Sequence, residues 1–376
     1  MQQHRRLIGL RTLLDEDLDQ ICRDLAQEFA TMSGGRLLIT GGAGFLGYYL
    51  VQAVLHWNDR YARGSKIALS VWDNYARGVA GWLQELEGRP DLELRKQDLI
   101  QPLPTDMGHF DFIIHAAGIA SPMYYRAQPL KCIDANINGL RNLLDYAANE
   151  NAKGRPLGGF LFYSSSEIYG DPSPDAIPTP ETYRGNVSCT GPRACYDESK
   201  RFGETLCVVY AKEFNVPVRM ARPFNNYGPG LKITDGRVIP DFARDVLAGR
   251  DIVMLSDGKP KRTFCYATDA VTGYFKVLVR GRSGEPYNIG IEKPEISMAE
   301  LASQTVAAAR NLFGYQGQVV LGQSAETDYL VDNPNRRCPV IAKAQADLGY
   351  DPKVAIEDGI YRSLIWYNYN REAAEA

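Results

Sequence analysis

The stretch RLLITGGAGFLGYYLVQAVL, residues 36–55, constrains the fold more than any other part of the chain. It begins as a short apolar run, passes through glycines at 41, 42, 44 and 47, and continues with apolar residues at helical spacing. That succession reads as strand, tight turn, helix. Glycines there let backbone N–H groups approach a pyrophosphate, and the N-terminus of the following helix adds positive potential at the same place. The spacing is GxxGxxG, a variant of the GxGxxG fingerprint, and it becomes specific only in a matching context.

The context follows in order. KIALSVWD is a second apolar strand ending in Asp73, where a carboxylate accepts hydrogen bonds from the adenosine ribose hydroxyls. This favours NAD over NADP, while Arg77 nearby is the opposing signal, because an arginine there suits a 2'-phosphate. LELRKQDL places Asp98 after a third strand, and DFIIHAAG ends a fourth in small residues that leave room for a flat cofactor at the sheet edge. Alternation of strand and helix predicts an α/β fold, a Rossmann-like doubly wound parallel sheet. The expected cofactor contacts are Gly41, Gly44, Phe45, Leu46, Gly47, Asp73, Asn74, Asp98, Leu99 and Ala116.

At 376 residues the chain is long enough for two lobes. After VPVRMARPFNNYGPG the strand–helix rhythm weakens and proline and glycine become frequent. The expected division is therefore a cofactor-binding domain over 34–221 and a smaller α/β substrate lobe over 222–376, with segments such as 264–290 returning to the first domain. Leu14, Leu18, Ile21, Leu25 and Phe29 recur at helical spacing on an acidic background, so residues 14–31 read as an amphipathic helix within an extension over 1–33. It is expected to pack on the body of the protein or on a partner subunit.

A net charge of −3 suggests no general affinity for nucleic acid or anionic membrane, so anionic ligands must be met by local arginines. The first thirty residues are charged, unlike a signal peptide, and the most apolar run, residues 37–57, is broken by glycines. Seven cysteines, an odd number with no CxxC pair, point to reduced thiols and a cytoplasmic protein, and no metal site is expected. All four histidines lie at or before His115, which excludes histidine chemistry in the second half.

GPRACYDESKR, residues 191–201, puts Tyr196 and Lys200 on one face of a helix. A free tyrosine has a pKa of about 10, and a lysine ammonium beside it, together with a positive nicotinamide ring, favours the phenolate. The strand in GFLFYSSSEIYGD delivers Ser164, Ser165, Ser166 and Glu167 to the same sheet edge. Hydroxyl, tyrosine and lysine together suit removal of a proton from an alcohol while a hydride leaves the same carbon.

TGGAGFLG, HAAG, SSSEIYGD and YDESK in this order resemble the extended short-chain dehydrogenase/reductases that modify nucleotide sugars, from about Leu37 to about Trp366. IASPMYYRAQPLK, GPRACYDESKR, RPFNNYGPGLKITDGRVIPDF, KRTFCYATD and DNPNRRCPVIAKAQADLGYDP resemble in particular the UDP-glucuronic acid decarboxylases. The related 4,6-dehydratases carry aspartate then glutamate where this chain has Ser166 and Glu167, and simple C4-epimerases lack the glutamate. The resemblance implies a lyase that uses NAD to decarboxylate a nucleotide-linked uronic acid through a 4-keto intermediate, with Tyr196 as base, Lys200 and Ser165 beside it, and Ser166 and Glu167 managing the step between. It also implies Tyr125, Asn226, Arg237 and Arg262 as substrate contacts, Arg336 and Arg337 as weaker ones, and a homodimer formed through a helix pair. Arg193, a turn before Tyr196, is expected to face the substrate. Tyr48, Cys189 and Thr190 depart from the family pattern. A C4-epimerase or other 4-keto-forming enzyme, and a catalytically silent cofactor-binding protein, remain the alternatives.

Overall fold

The computed structural model describes residues 9–322 and 334–370. Residues 1–8 of the expected extension, residues 323–333 and 371–376 of the second lobe, and hence the first two residues of the DNPNRRCP segment, lie outside them.

The apolar runs form strands β1 (Arg36–Thr40), β2 (Ala68–Asp73), β3 (Leu92–Lys96), β4 (Phe112–His115), β5 (Gly159–Tyr163) and β6 (Val218–Pro223). A seventh strand, Pro286–Ile289, returns from the second half of the chain to pair with β6. The spatial order is β3-β2-β1-β4-β5-β6-seventh, with every neighbour parallel. The central strands β1, β4 and β5 are buried almost throughout because both faces of the sheet are covered there, whereas the edge strand β3, LELRK, is partly exposed. In β1, Leu37 and Ile39 join one core and Leu38 the other. The first core lies under helix α3 (Phe45–Arg60) and the helix Ala267–Arg280. The second lies under the helices Pro129–Ala152 and Ala194–Glu213.

The N-terminal extension forms two helices rather than the single one expected over 14–31: α1 (Leu10–Asp24) and α2 (Ala26–Met32). Leu25 leaves the helical region with φ −112° and ψ 16° and is fully buried. The turn carries Phe29 into the first core, where its ring lies 4.9 Å from that of Phe275 and 5.4 Å from that of Trp57. Asp17 of α1 is buried, accepts hydrogen bonds from the hydroxyls of Tyr49 and Tyr266, and pairs with Arg362 at 2.7 Å. One carboxylate thus ties the extension to both halves of the chain.

The second half adds the helices Val238–Leu247, Met298–Phe313 and Ile356–Tyr369 and short sheets. In one of these, Lys261–Arg262 lies between Ile296–Ser297 and Arg336–Arg337, and its register sets Arg262 beside Arg337. The strand ends of the parallel sheet face this lobe across one cleft of about 1620 Å³.

Candidate active site

The cleft opens where β1 and β4 part company in chain order, the usual place for a ligand in a doubly wound sheet. Gly41 has φ +71°, and a Cβ on it would sit 2.6 Å from the backbone of Ala117. A Cβ on Gly47 would sit 2.0 Å from the carbonyl oxygen of Gly42, so the helix closes directly onto the glycine turn. Gly44 is the N-cap of α3 and supplies no side-chain acceptor, which leaves the first N–H groups of Phe45 and Leu46 for an anion. Asp73 accepts from the backbone N–H of Tyr75 at 2.8 Å and of Ala43 at 3.1 Å, and burial raises its pKa. Asp98 accepts from the N–H of Ile100 at 3.2 Å and from Asn74 at 3.4 Å. Leu99 and Ala116 complete the wall. This cradle fits a dinucleotide, and the volume exceeds the 300–1,000 Å³ or so of a site for one small ligand, leaving room for a second.

Tyr196 and Lys200 lie in the first turns of the helix Ala194–Glu213, and both are buried. Lys200 donates from Nζ to the carbonyl of Tyr163 at 2.8 Å and stands 5.8 Å from the centre of the Tyr196 ring. The Tyr196 ring stacks on Tyr125 with centres 5.1 Å apart and planes 10° apart, and Ser165 acts to lower the pKa of its phenol. Ser164, Ser165, Ser166 and Glu167 leave the end of β5 into the same cleft. Burial raises the Tyr196 phenol above its ordinary value despite Ser165, and burial lowers Lys200 to about 8. Lys200 is fixed by one of its three N–H groups on a backbone carbonyl and keeps its positive charge at neutral pH.

Glu167 is the second residue of a short 3₁₀ turn, Ser166–Tyr169, and its N–H donates to the Ser165 hydroxyl at 3.2 Å. Its carboxylate accepts from Arg337 at 2.5 and 2.7 Å, and from Arg193. Burial opposes its ionisation, but Arg337 and then Arg193 hold it down at about 2. Arg193 therefore lines the cleft with its guanidinium turned to Glu167, where the sequence had suggested a substrate contact. Arg262 lies next to Arg337 and donates to the carbonyls of Lys261 and Asn335 at 2.8 and 3.1 Å. Burial and then the charge of Arg337 push it down to about 9.

Arg237 lines the cleft 2.6 Å from Asp235 and over the Phe45 ring. Asn226 donates from its amide to the Tyr274 hydroxyl, which leaves its side-chain oxygen buried and without a partner among the described residues. The Tyr125 hydroxyl is in the same condition on the cleft wall. Arg336 stands apart, paired with Glu295 at 2.7 and 2.8 Å outside the cleft, because adjacent strand residues point to opposite faces. Arg337, treated in the sequence as one of two weak candidates, belongs instead to the Glu167 cluster. Asp235 and Tyr274, which hold Arg237 and Asn226, carried no sequence signal. Tyr48, the unusual residue after the glycine turn, packs edge-on against Trp82 and Trp366.

A glycine cradle, a ribose-side carboxylate and a Ser–Tyr–Lys set on one sheet edge define a dinucleotide-dependent enzyme acting on an alcohol carbon. The chain belongs to the NAD dependent epimerase/dehydratase family, whose model matches residues 37–290, and its cofactor is NAD. It is similar to UDP-glucuronic acid decarboxylase 3 of Arabidopsis thaliana, 37% identical over 325 residues that cover 86% of each chain. Among solved structures it is similar to a dTDP-glucose 4,6-dehydratase of Streptomyces venezuelae with NAD bound, with TM-score 0.75 and 25% identity over 90% of this chain and 98% of that one. An epimerase of Methanothermobacter thermautotrophicus shares the fold, with TM-score 0.78 and 24% identity over 94% and 98% of the two chains.

Proposed function

We propose that this enzyme decarboxylates UDP-glucuronic acid to UDP-xylose, with the cofactor cradle on residues 34–221 and the nucleotide sugar held mainly by residues 222–376. The observation that carries the reading is Glu167, preceded by Ser166 and clamped between Arg193 and Arg337 beside Tyr196. With a pKa of about 2 it stays ionised, so it is no acid for expelling a C6 hydroxide, and a serine hydroxyl is none either. Arg193 and Arg337 are matched by Glu167 and Asp197, and Arg262 beside Arg337 adds the positive charge suited to a uronate. The decarboxylase relatives, 37% identical over most of the chain, support the same reading.

Gly41, Gly44, Phe45, Leu46 and Asp73 would hold NAD+, which would supply a reversible hydride acceptor for C4 of the sugar. Tyr196 receives the proton of the C4 hydroxyl, which Ser165, lining the same cleft, orients. Lys200, fixed on the Tyr163 carbonyl, supplies positive charge to the phenolate side of that transfer. The C4 ketone makes the substrate a β-keto acid, and it accepts the electron pair released as CO2 departs. The resulting enolate gains a solvent-derived proton at C5, which restores the C4 ketone, and Tyr196 gives its proton back to the C4 oxygen as the hydride returns to C4. Arg237, Arg262 and Asn226 are assigned to the diphosphate and sugar, and Tyr125 to the sugar face. Incubation with UDP-glucuronic acid and NAD+, followed by CO2 measurement and mass spectrometry of the products, tests the proposal. UDP-xylose with CO2 is expected, whereas an isomeric UDP-uronate with no CO2 would replace this reading by a C4-epimerase.

We also propose a homodimer through the helices Pro129–Ala152 and Ala194–Glu213, which expose Leu130, Phe202 and Val209, with Phe214 just beyond. The seven cysteines, all free, favour a cytoplasmic setting.

A further inference from the structure

Arg77 lies on the loop after β2, close behind the ribose-side Asp73, and both line the cleft. An arginine in this region is what a 2'-phosphate requires. Its guanidinium is committed elsewhere. Nη1 donates to Oδ2 of Asp235 at 3.1 Å, and the group lies 4.5 Å over the ring of Tyr124. Asp235 comes from the second lobe, is 1% exposed, and has its other oxygen 2.6 Å from Nε of Arg237. Its loop is fixed to the first lobe by two further bonds. Ser121 donates to the carbonyl of Asp235 at 2.9 Å, and Lys232 donates to the carbonyl of Arg77 at 2.8 Å.

We propose that Asp235 is a specificity-determining residue for the cofactor, acting by holding Arg77 away from the adenosine ribose. Asp73 repels a 2'-phosphate through its own charge. Asp235 removes the cation that would offset that repulsion, since turning Arg77 towards a phosphate would break a pair with a buried carboxylate. Discrimination against NADP therefore has two parts on opposite sides of the cleft, and removing only one leaves most of it in place. Asp235 is a positioning residue for Arg77 and makes no contact with the cofactor in this account.

The inference rests on the use of NAD and not on the proposed reaction, so its test needs no turnover. Dissociation constants for NAD and NADP are measured by titration calorimetry on the cofactor-free full chain for wild type, Asp73→Asn, Asp235→Asn and the double variant. The double variant is expected to bind NADP about tenfold or more tighter than the product of the two single effects allows. Adding Arg77→Ala should abolish that excess, while Arg77→Ala alone should leave NAD affinity within about twofold of wild type. Effects of Asp73→Asn and Asp235→Asn that simply multiply, or an NADP gain that survives Arg77→Ala, would overturn the proposal. Asp235→Ser provides the same neutral comparison if the asparagine variant does not fold.

Discussion

Tyr196 and Lys200 stand one helical turn apart, and burial moves both towards their neutral forms. Burial alone thus gives a site that is quiet before the cofactor's positive ring is bound. Removing the phenol in Tyr196→Phe should lower kcat by about 10²- to 10⁴-fold while NAD affinity, measured by titration, stays near wild type. Lys200 allows a pH test. Its folded pKa of about 8 lies below the unfolded value near 10.4, so the unfolded chain binds more protons between those values. The Lys200 contribution to stability should therefore be least favourable below pH 8 and rise from pH 8 to about 10.4. Urea unfolding of wild type and Lys200→Met across that window checks this, since the rise should be missing from the variant. Glu167→Gln leaves Arg193 and Arg337 around a neutral amide. CO2 release should fall by at least about tenfold, with a smaller change in NAD affinity.

At the scale of elements, the glycine turn and the N-terminal helices place opposite demands on the chain. Gly41 combines a positive φ with contact to the Ala117 backbone, so Gly41→Ala should impair cofactor binding through both strain and displacement. The extension behaves as part of the core. Phe29 is fully buried between Trp57 and Phe275, and Phe29→Ala should cost about 3–5 kcal/mol in chemical denaturation. Its amphipathic spacing was legible in the sequence, as were the strands, because a helical period and a short apolar run are local properties. The break at Leu25 was not, because nothing in the local pattern says that Phe29 must reach a ring on the helix Ala267–Arg280.

For the whole molecule, the exposed apolar residues of the helices Pro129–Ala152 and Ala194–Glu213 make the oligomeric state testable. Phe202 is 48% exposed on a helix whose other face carries Tyr196, and Phe202→Glu should shift the protein from dimer to monomer in sedimentation velocity. Because the substitution lies away from the cleft lining, the monomer should keep its affinity for NAD.

The sequence by itself determined the strand–helix alternation, the glycine turn and the Tyr196–Lys200 pair, since each is written in a short stretch, and it placed Asp73 and Ser165 at the ends of their own strands. Only the tertiary structure decided what the arginines do. Arg337 meets Glu167 across 170 residues of chain, Arg262 joins it through strand pairing, and Arg77 meets Asp235 from the other lobe. Arg336, adjacent in sequence to Arg337, points away to Glu295. A guanidinium on a long flexible stem takes the partner that burial brings within reach, and which carboxylate that is depends on how distant parts of the chain pack.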